Sequence, residues 1–498
     1  MLRPIQFACL VILGTLASPT DADPTEQDLA RPPLVVAEPT TYFTAPLRPD
    51  GTVDYFAALN AAAREGIAPD QNAAAYILPL LPESDRLDSD LTPIAAALGI
   101  DLAAAHAKGP RLTPLPWNPL DDNDPFGRAL DQLWTPEDLP QVAAWLDANL
   151  AALDAFDRAV RLPHSYWPVV PDTNFPLLLG VDTSGLGTLR ATARAFVIRL
   201  NLHAGRGDYD RALRDYETLI QLGYHVSHQQ PLIGWLVAAS IRSLAVSAVT
   251  PLLNDPQLPA DAARTLLAVI KNQPDLRPVA ACITSYERAI ALEVFQTAYA
   301  RPELLAAGLG SMLKFAARSP KFDINLALRE VNRVYDLIEQ SAQAQTLVES
   351  RRIAQQLEDG LEIDHPLIMP GQERPLRERF SLRIARIGLD TLTPAYTTSA
   401  QSERLYQSRQ ELLLAAAAFT VYRIDHGRYP ESLGDLVPEY LTELPVDRYD
   451  GRPLTYRPGP ERQTYLLYSI GQDGDDDQGK FGHTDGDLSI GNPLPDGW

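Results

Sequence analysis

Two neighbouring stretches set the architecture of this chain: Leu189-Arg-Ala-Thr-Ala-Arg-Ala-Phe-Val-Ile-Arg-Leu-Asn-Leu-His203 and Asp208-Tyr-Asp-Arg-Ala-Leu-Arg-Asp-Tyr-Glu-Thr-Leu-Ile-Gln-Leu222. Apolar residues recur in both at intervals of three and four, which predicts two amphipathic helices. Ala204-Gly-Arg-Gly207 between them predicts a tight turn, and Gly223 is expected to end the second helix. The pair therefore predicts a helical hairpin.

This hairpin resembles a tetratricopeptide unit. Small residues occupy its first helix, Gly207-Asp-Tyr marks the turn, and Ala212-Leu213 follows. No strict 34-residue period continues along the chain, so we expect an irregular array of helical hairpins instead of a regular solenoid. The predicted fold class is mainly α: this array, tetratricopeptide-like in part, followed by a small α+β domain. Such arrays leave broad surfaces that bind partners, so a protein partner is expected.

Further helices are predicted on both sides of the hairpin. They cover residues 54–65, 72–81, 135–156, 232–253, 260–271, 285–300 and 325–357. Thr135-Pro-Glu-Asp138 has the residues of a helix start, with a hydroxyl for the cap, proline in the first turn and acids facing the positive helix end.

Length and net charge limit the expected number of domains and the classes of binding partner. A chain of 498 residues is too long for one ordinary core, so two or three domains are expected. The formal net charge of -21 leaves no surplus of cations to neutralise phosphates. The same charge disfavours binding to anionic lipid. Nucleic acid and membrane surfaces are therefore not expected as partners.

The N-terminus has the features of a signal peptide. Met1-Leu-Arg-Pro carries one positive side chain, an apolar stretch covers residues 5–17, and Ala17 and Ala22 offer cleavage positions. The apolar stretch is shorter than the roughly 20 residues of a membrane span. We therefore predict a signal peptide over 1–22 and a periplasmic or extracellular protein without stable membrane insertion. An uncleaved anchor is the alternative.

Composition divides the remaining chain into three parts. Residues 23–45 are rich in Pro, Thr and Asp and are predicted to form a linker. A helical domain is predicted over 46–399 and a second domain over 400–498. The segment 46–74 resembles the start of a group of large uncharacterised secreted bacterial proteins, and this resemblance implies no activity.

The C-terminal domain has its own order of elements. A helix is predicted over 405–425, and a short helix over 432–437. Two strands follow, near Leu454-Thr-Tyr456 and over 463–470, with Pro458-Gly-Pro-Glu-Arg462 as the hairpin loop.

This order resembles the soluble domain of the major pseudopilin of type II secretion systems. The matching motifs are Tyr429-Pro430, Leu444-Pro445-x-Asp447, Asp450-Gly-Arg-Pro-Leu-Thr-Tyr456 and Tyr468-Ser-Ile-Gly-Gln-Asp-Gly474. In that family the loop after the last strand binds calcium through aspartates. By position the resemblance implies Asp473, Asp485 and Asp487 as ligands. The family's N-terminal prepilin segment has no counterpart here, so the filament-building function is not implied.

The composition of the tail favours calcium independently. Residues 469–498 contain seven aspartates and one lysine. Calcium takes six to eight oxygen ligands from flexible loops, and such a loop would fold against charge repulsion without a cation. Asp475 and Asp477 are predicted as supporting ligands. An EF-hand is excluded because its sixth and twelfth positions would be Gln478 and Thr484. The alternative is a solvated acidic tail.

Elsewhere the sequence contains no complete catalytic motif, and no catalytic residue is predicted. Gly-x-Ser-x-Gly, the phosphate-binding loop and His-Glu-x-x-His are all absent. His225 and His228 lie one helical turn apart, as zinc ligands can, but they follow Gly223 and are expected in a polar loop. His164 falls in a proline-flanked break and is expected to be an exposed polar residue. Glu287 and Glu293 are expected to be solvated or paired with Arg288.

Three hypotheses for function remain. The first is a secreted non-catalytic protein with a helical interaction domain and a calcium-stabilised, pseudopilin-like C-terminal domain. The second is an extracellular hydrolase with acids in a groove of the helical domain, because paired carboxylates meet only in three dimensions. The third is an accessory of a secretion apparatus.

Overall fold

The computed structural model describes residues 32–82, 91–173, 175–229, 231–255, 257–305, 309–344, 346–361, 375–392, 396–481 and 486–490. The predicted signal peptide lies outside these residues. The described chain is mainly helical, with a small two-stranded sheet near its C-terminus. This confirms the predicted fold class.

The α-helices are α1 (Glu38–Thr41), α2 (Tyr55–Arg64), α3 (Ala73–Ile77), α4 (Thr92–Ala97), α5 (Leu102–Lys108), α6 (Pro125–Asp131), α7 (Pro140–Val160), α8 (Ser184–Gly205), α9 (Tyr209–Ser227), α10 (Leu232–Leu253), α11 (Ala260–Asn272), α12 (Val279–Cys282), α13 (Arg288–Ala300), α14 (Leu309–Ala317), α15 (Ile324–Gln343), α16 (Leu347–Leu361), α17 (Leu376–Leu392) and α18 (Tyr396–His426). A π-helical turn, Ile283–Glu287, joins α12 to α13. The strands are β1 (Thr455–Pro458) and β2 (Tyr465–Tyr468).

The centre of the array is α10, which packs against α8, α9 and α18. Among the described residues it is the one helix long and apolar enough, by length and composition, to cross a membrane, with a mean hydropathy of 1.8 in its most apolar window. Its Trp235 and Ile241 are fully buried in the array. Neighbouring helices on several sides explain the apolar character of α10, because a helix inside a core is hydrophobic all round.

Gly223 does not end α9, so the prediction of a helix stop there is wrong. The helix continues to Ser227. A Cβ atom at Gly223 would lie 2.9 Å from Cγ of Arg242 on α10. Arg242 is fully buried and donates to Gln273 Oε1 (2.8 Å) and to the Pro274 carbonyl (2.5 Å). The glycine therefore gives the stem of a buried arginine the room to cross α9.

Replacing a glycine inside a helix by alanine usually stabilises the protein, but the contact with Arg242 is expected to make this replacement destabilising. We expect Gly223→Ala to lower the free energy of unfolding by about 1–3 kcal/mol through overpacking. The matched control is Gly187→Ala in α8, where an added Cβ has no atom within 4 Å and should raise stability by about 0.5–1 kcal/mol. Urea denaturation of both variants measures the difference. If both gained stability, the close approach of Arg242 would be refuted.

The predicted helix start at Thr135 is also wrong. Helix α7 begins at Pro140, after the cap residue Leu139. The backbone N–H and the hydroxyl of Thr135 both donate to Asp138 Oδ2, each at 2.9 Å. The hydroxyl and acid that resemble a helix cap instead close a turn just before the helix.

The described part of the predicted linker, 32–45, lies against α15. Val35 N donates to Asn325 Oδ1 (2.8 Å), and Asn332 Nδ2 donates to the Thr40 carbonyl (2.9 Å). Thr40 and Thr41 are buried. These contacts fix the arm and its short helix α1 beside the helical array.

The C-terminal elements pack around Phe419 of α18. Its ring centroid lies 4.7 Å from that of Tyr456 and 4.9 Å from that of Tyr465. These tyrosines belong to β1 and β2, which pair antiparallel with Thr455 opposite Tyr468. Helix α18 also packs on α10 and α11, so its apolar face is shared between the array and the small sheet.

Asp447 holds the turn before β1 against the end of β2. Its carboxylate is buried and accepts from Tyr449 N (2.9 Å), Ser469 Oγ (3.0 Å) and Ile470 N (2.8 Å). Burial raises the pKa of this carboxyl, and the three donors oppose that rise. The aspartate of the Leu-Pro-x-Asp motif thus has a structural role.

Candidate functional site

One candidate site is a cavity of about 760 Å³ in the helical array. Five parts of the chain form its walls, and the first four are residues 42–67, residues 163–165, the end of α9, and residues 277–285 with the π turn. The end of α15 completes it. The polar lining residues are His164, Ser165, Tyr224, His228, Arg277, Thr284, Ser285, Glu339 and Gln343. Ligand pockets in proteins are typically about 300–1,000 Å³.

The π turn shapes one wall of this cavity. It contributes Thr284 and Ser285 to the lining. Ser285 Oγ donates to the Ala281 carbonyl (2.8 Å) and accepts from Arg277 Nη2 (3.1 Å). Single π turns within α-helices are frequent at functional sites, and here the turn provides an anchor for the arginine.

Arg277 is the cation of the cavity. Its backbone N–H donates to Ser227 Oγ (3.1 Å), and its Nη2 donates to the Ala281 carbonyl (3.0 Å) as well as to Ser285. The side chain is half-buried. Within the described residues no carboxylate forms an ion pair with it, and its Nε–H and Nη1–H groups have no protein acceptor. The guanidinium is therefore held in place, and its Nε–H and Nη1–H groups remain available as hydrogen-bond donors.

His228 stands at the C-terminal cap of α9, on the same cavity. Its Nδ1 lies 2.9 Å from the Tyr224 carbonyl. A carbonyl can only accept, so Nδ1 carries the proton and the neutral ring keeps its lone pair on Nε2. Burial lowers the pKa of His228, and the charge of Arg277 lowers it further. The cavity thus has an imidazole, whose Nδ1–H is already used, near a fixed cation.

His225 does not share this site with His228. It is buried, and its Nε2 lies 2.8 Å from the Val160 carbonyl on α7. Burial lowers the pKa of His225 to about 4. The expected polar loop is helix instead, because α9 continues to Ser227. One imidazole joins α9 to α7, and the other faces the cavity.

Asn72 positions the wall that contains His164 and Ser165. Its Oδ1 accepts from Tyr166 N (2.7 Å) and its Nδ2 donates to the Tyr166 carbonyl (3.0 Å). Ala73 N donates to the His164 carbonyl (2.8 Å). His164 is exposed, as predicted from its proline-flanked position, whereas Ser165 is buried. The pairing of this extended segment with Asn72 and Ala73 fixes this wall of the cavity.

Glu339 is the carboxylate among the lining residues, and it shares Arg288 with a second carboxylate, Asp336. It lies 3.5 Å from Nη2 of Arg288 and accepts from Gln343 (3.1 Å). Arg288 is buried, pairs with Asp336 at 2.7 Å, and stacks over the Tyr42 ring at 4.5 Å. At this end of the cavity one arginine faces two carboxylates, whereas Arg277 has no carboxylate partner among the described residues.

A second cavity of about 440 Å³ lies on the outer face of α7, α8 and α9. Arg199 Nη2 lies 2.6 Å from Asp215 and its Nη1 lies 2.9 Å from Asp154, while Arg214 lies 2.8 Å from Asp157. Burial raises the pKa of Asp215 to about 6, and the charge of Arg199 opposes the rise. Arginine N–H groups occupy both oxygens of Asp215, so this network joins helices.

The predicted calcium ligands lie in the loop after β2. Asp487 is buried, and its oxygens accept from Gly479 N (2.6 Å) and Asp477 N (3.4 Å). Burial raises the pKa of Asp487, as do the neighbouring charges of Asp476 and Asp477. The loop thus folds around a carboxylate that has two other negative charges beside it.

The other predicted ligands are distributed along the same loop. Asp473 Oδ1 accepts from Asp475 N (3.2 Å), and Asp475 is exposed. Asp485 lies outside the described residues. In the described part of the chain, no three acidic, histidine or cysteine side chains form a group that could hold a metal. No basic side chain there forms an ion pair with the loop aspartates. The guanidinium of Arg351 donates to the carbonyls of Gln472 (3.0 Å) and Asp473 (3.5 Å) in this loop, and calcium ligation stays a prediction.

Comparisons with known proteins give no family. No protein-family model matches this chain, and no curated protein or solved structure matches it.

Sequence reasoning did not single out Arg277. It directly precedes Pro278 and lies in no recognisable motif. Its anchors are Ser227, at the end of α9, and Ala281, four residues further along the chain. No local pattern could have marked it, because the cavity forms from segments more than two hundred residues apart.

Proposed function

We propose that this chain is a secreted, non-catalytic binding protein whose helical array holds a ligand in the 760 Å³ cavity. The observation that carries the proposal is Arg277, a half-buried cation fixed at the cavity wall without a carboxylate partner in the described chain. A side chain held in this way leaves hydrogen-bond donors for a bound molecule.

The C-terminal part of the proposal concerns stability. A pseudopilin-like domain is proposed to fold against the array through α18 and to bind calcium in the loop after β2. The support is the motif order of the sequence, the antiparallel pair β1–β2, and the negative charge around Asp487. A signal peptide directing the protein to the periplasm or the exterior belongs to the same proposal.

A hydrolase is less well supported. It would need a carboxylate free to exchange a proton with a substrate. The carboxylates of the outer cavity are held by arginines, with Asp215 bonded through both oxygens to Arg199. Glu339, in the large cavity, is paired with Arg288.

Blocking the cavity tests the binding function. A library of small neutral and charged compounds is screened by ligand-observed NMR against the wild type and Ala63→Trp, which places an indole at the lining. Ala61→Trp, two residues away on the exposed side of α2, is the matched control. We expect compounds that bind the wild type and Ala61→Trp and lose at least tenfold in affinity for Ala63→Trp.

The proposal fails if no compound binds the wild type, or if binding to Ala63→Trp is unchanged. Thermal melting of the two tryptophan variants checks that both are folded. A loss of binding can then be attributed to the blocked cavity.

A further inference from the structure

We infer that the cavity ligand presents a carboxylate on an apolar body, and that Arg277 receives the carboxylate; this rests on the proposed binding function. The chemistry is that of a small organic acid or of the C-terminus of a peptide. The argument comes from the donors left on Arg277, the acceptor left on His228, and the apolar wall opposite them.

The guanidinium is oriented by its own contacts. Both N–H groups of Nη2 are used by the Ala281 carbonyl and Ser285 Oγ. The donors that remain are on Nε and Nη1. Hydrogen bonds between an arginine and a carboxylate are charge-assisted and roughly twice as strong as neutral ones. Because the arginine is already fixed, little side-chain entropy remains to be lost on binding.

In the described chain, no carboxylate of the cavity lining forms an ion pair with this cation. Glu339 is held by Arg288 and Gln343. In its neutral form, which burial favours, His228 keeps a lone pair on Nε2 and can accept a hydrogen bond from an N–H or O–H group of the ligand. An acid with a nearby donor satisfies both groups, and a peptide C-terminus has this combination.

The opposite wall selects for an apolar body. Leu59, Ala63 and Ile67 line it on the α2 side, with the rings of Tyr42 and Phe43 beside them. The two rings pack edge to face at 5.3 Å. Burying an apolar group here contributes about 25 cal/mol per Å² removed from water. Inorganic anions have no such surface and are expected to bind weakly.

The test compares acids with their amides on the full-length protein by isothermal titration calorimetry. The probes are 4-phenylbutyrate and 4-phenylbutyramide, the peptide acetyl-Ala-Ala-Phe with a free C-terminus and with a C-terminal amide, and inorganic phosphate. We expect at least one acid to bind tenfold or more tightly than its amide, and more tightly than phosphate. Which acid does so distinguishes a small-molecule ligand from a peptide.

Two variants locate the effect. Arg277→Gln should reduce the acid's affinity at least tenfold while leaving that of the amide within about twofold. Arg379→Gln, at an exposed arginine of α17, should change neither. The comparison of acid with amide in the wild type does not depend on the variant folding.

The inference is overturned if both acids bind no better than their amides, if phosphate binds as tightly as the acids, or if Arg277→Gln retains the acid's affinity. Neutral compounds that bind wild type and not Ala63→Trp would then leave the binding function standing without the carboxylate.

Discussion

Replacing Glu293 with alanine is expected to lower the free energy of unfolding by about 3–5 kcal/mol, measured by urea denaturation. Glu293 lies on α13 and is fully buried. One oxygen lies 3.3 Å from Arg48 Nη2, and the other accepts from Leu178 N at 2.7 Å. The variant leaves an arginine without its buried partner and a buried N–H without an acceptor. Two distant segments lose their attachment to α13 together.

Glu293→Gln distinguishes the loss of the negative charge from the loss of the whole side chain, because glutamine has nearly the same shape as glutamate. The amide can still accept from Leu178, so it should be destabilised less than the alanine variant. Glu439→Ala, at an exposed carboxylate, is the control and should stay within about 0.5 kcal/mol of wild type. A loss below about 1 kcal/mol for Glu293→Ala would show that the ion pair does not hold Arg48 to α13.

Calcium is expected to raise the free energy of unfolding by about 2.7 kcal/mol when its concentration is a hundred times the dissociation constant. Binding to the folded loop would offset the repulsion around Asp487, whose pKa is raised by burial and by Asp476 and Asp477. Thermal melting with calcium and with a chelator measures the difference.

Asp473→Ala should remove most of the calcium-dependent stabilisation, because it deletes one of the predicted ligands. The control is Asp390→Ala, an exposed aspartate on α17, which should respond to calcium as the wild type does. Melting of the wild type that is identical with calcium and with chelator would eliminate the ion site.

The helical part of the fold could be predicted because its signal is local. The apolar periodicity of the hairpin at 189–222 gives α8 and α9, and α10 begins at Leu232 and ends at Leu253 as predicted. Gly223 misled because a glycine in a helix also serves close packing, and the packing partner, Arg242, lies on another helix. Thr135 misled because a hydroxyl and an acid three residues apart also close a turn.

The site could not be predicted because it depends on contacts between residues that are distant in the sequence. Arg277 and His228 are 49 positions apart, and the cavity they line also needs α2 and residues 163–165. Glu293 was expected to be solvated or paired with Arg288, but Arg288 pairs with Asp336 and Glu339. Such contacts depend on how helices pack, and a helical period does not specify which partner each face meets.

Hydrogen exchange monitored by mass spectrometry tests the central claim most directly. The full-length protein is compared with and without the compound that binds it best. We predict slower exchange in the segments 162–166, 224–229 and 277–286, which line the cavity, and unchanged exchange in Ala63→Trp. Protection confined to the outer face of α7–α9 or to the loop after β2, or no protection at all, would contradict a ligand cavity in the helical array.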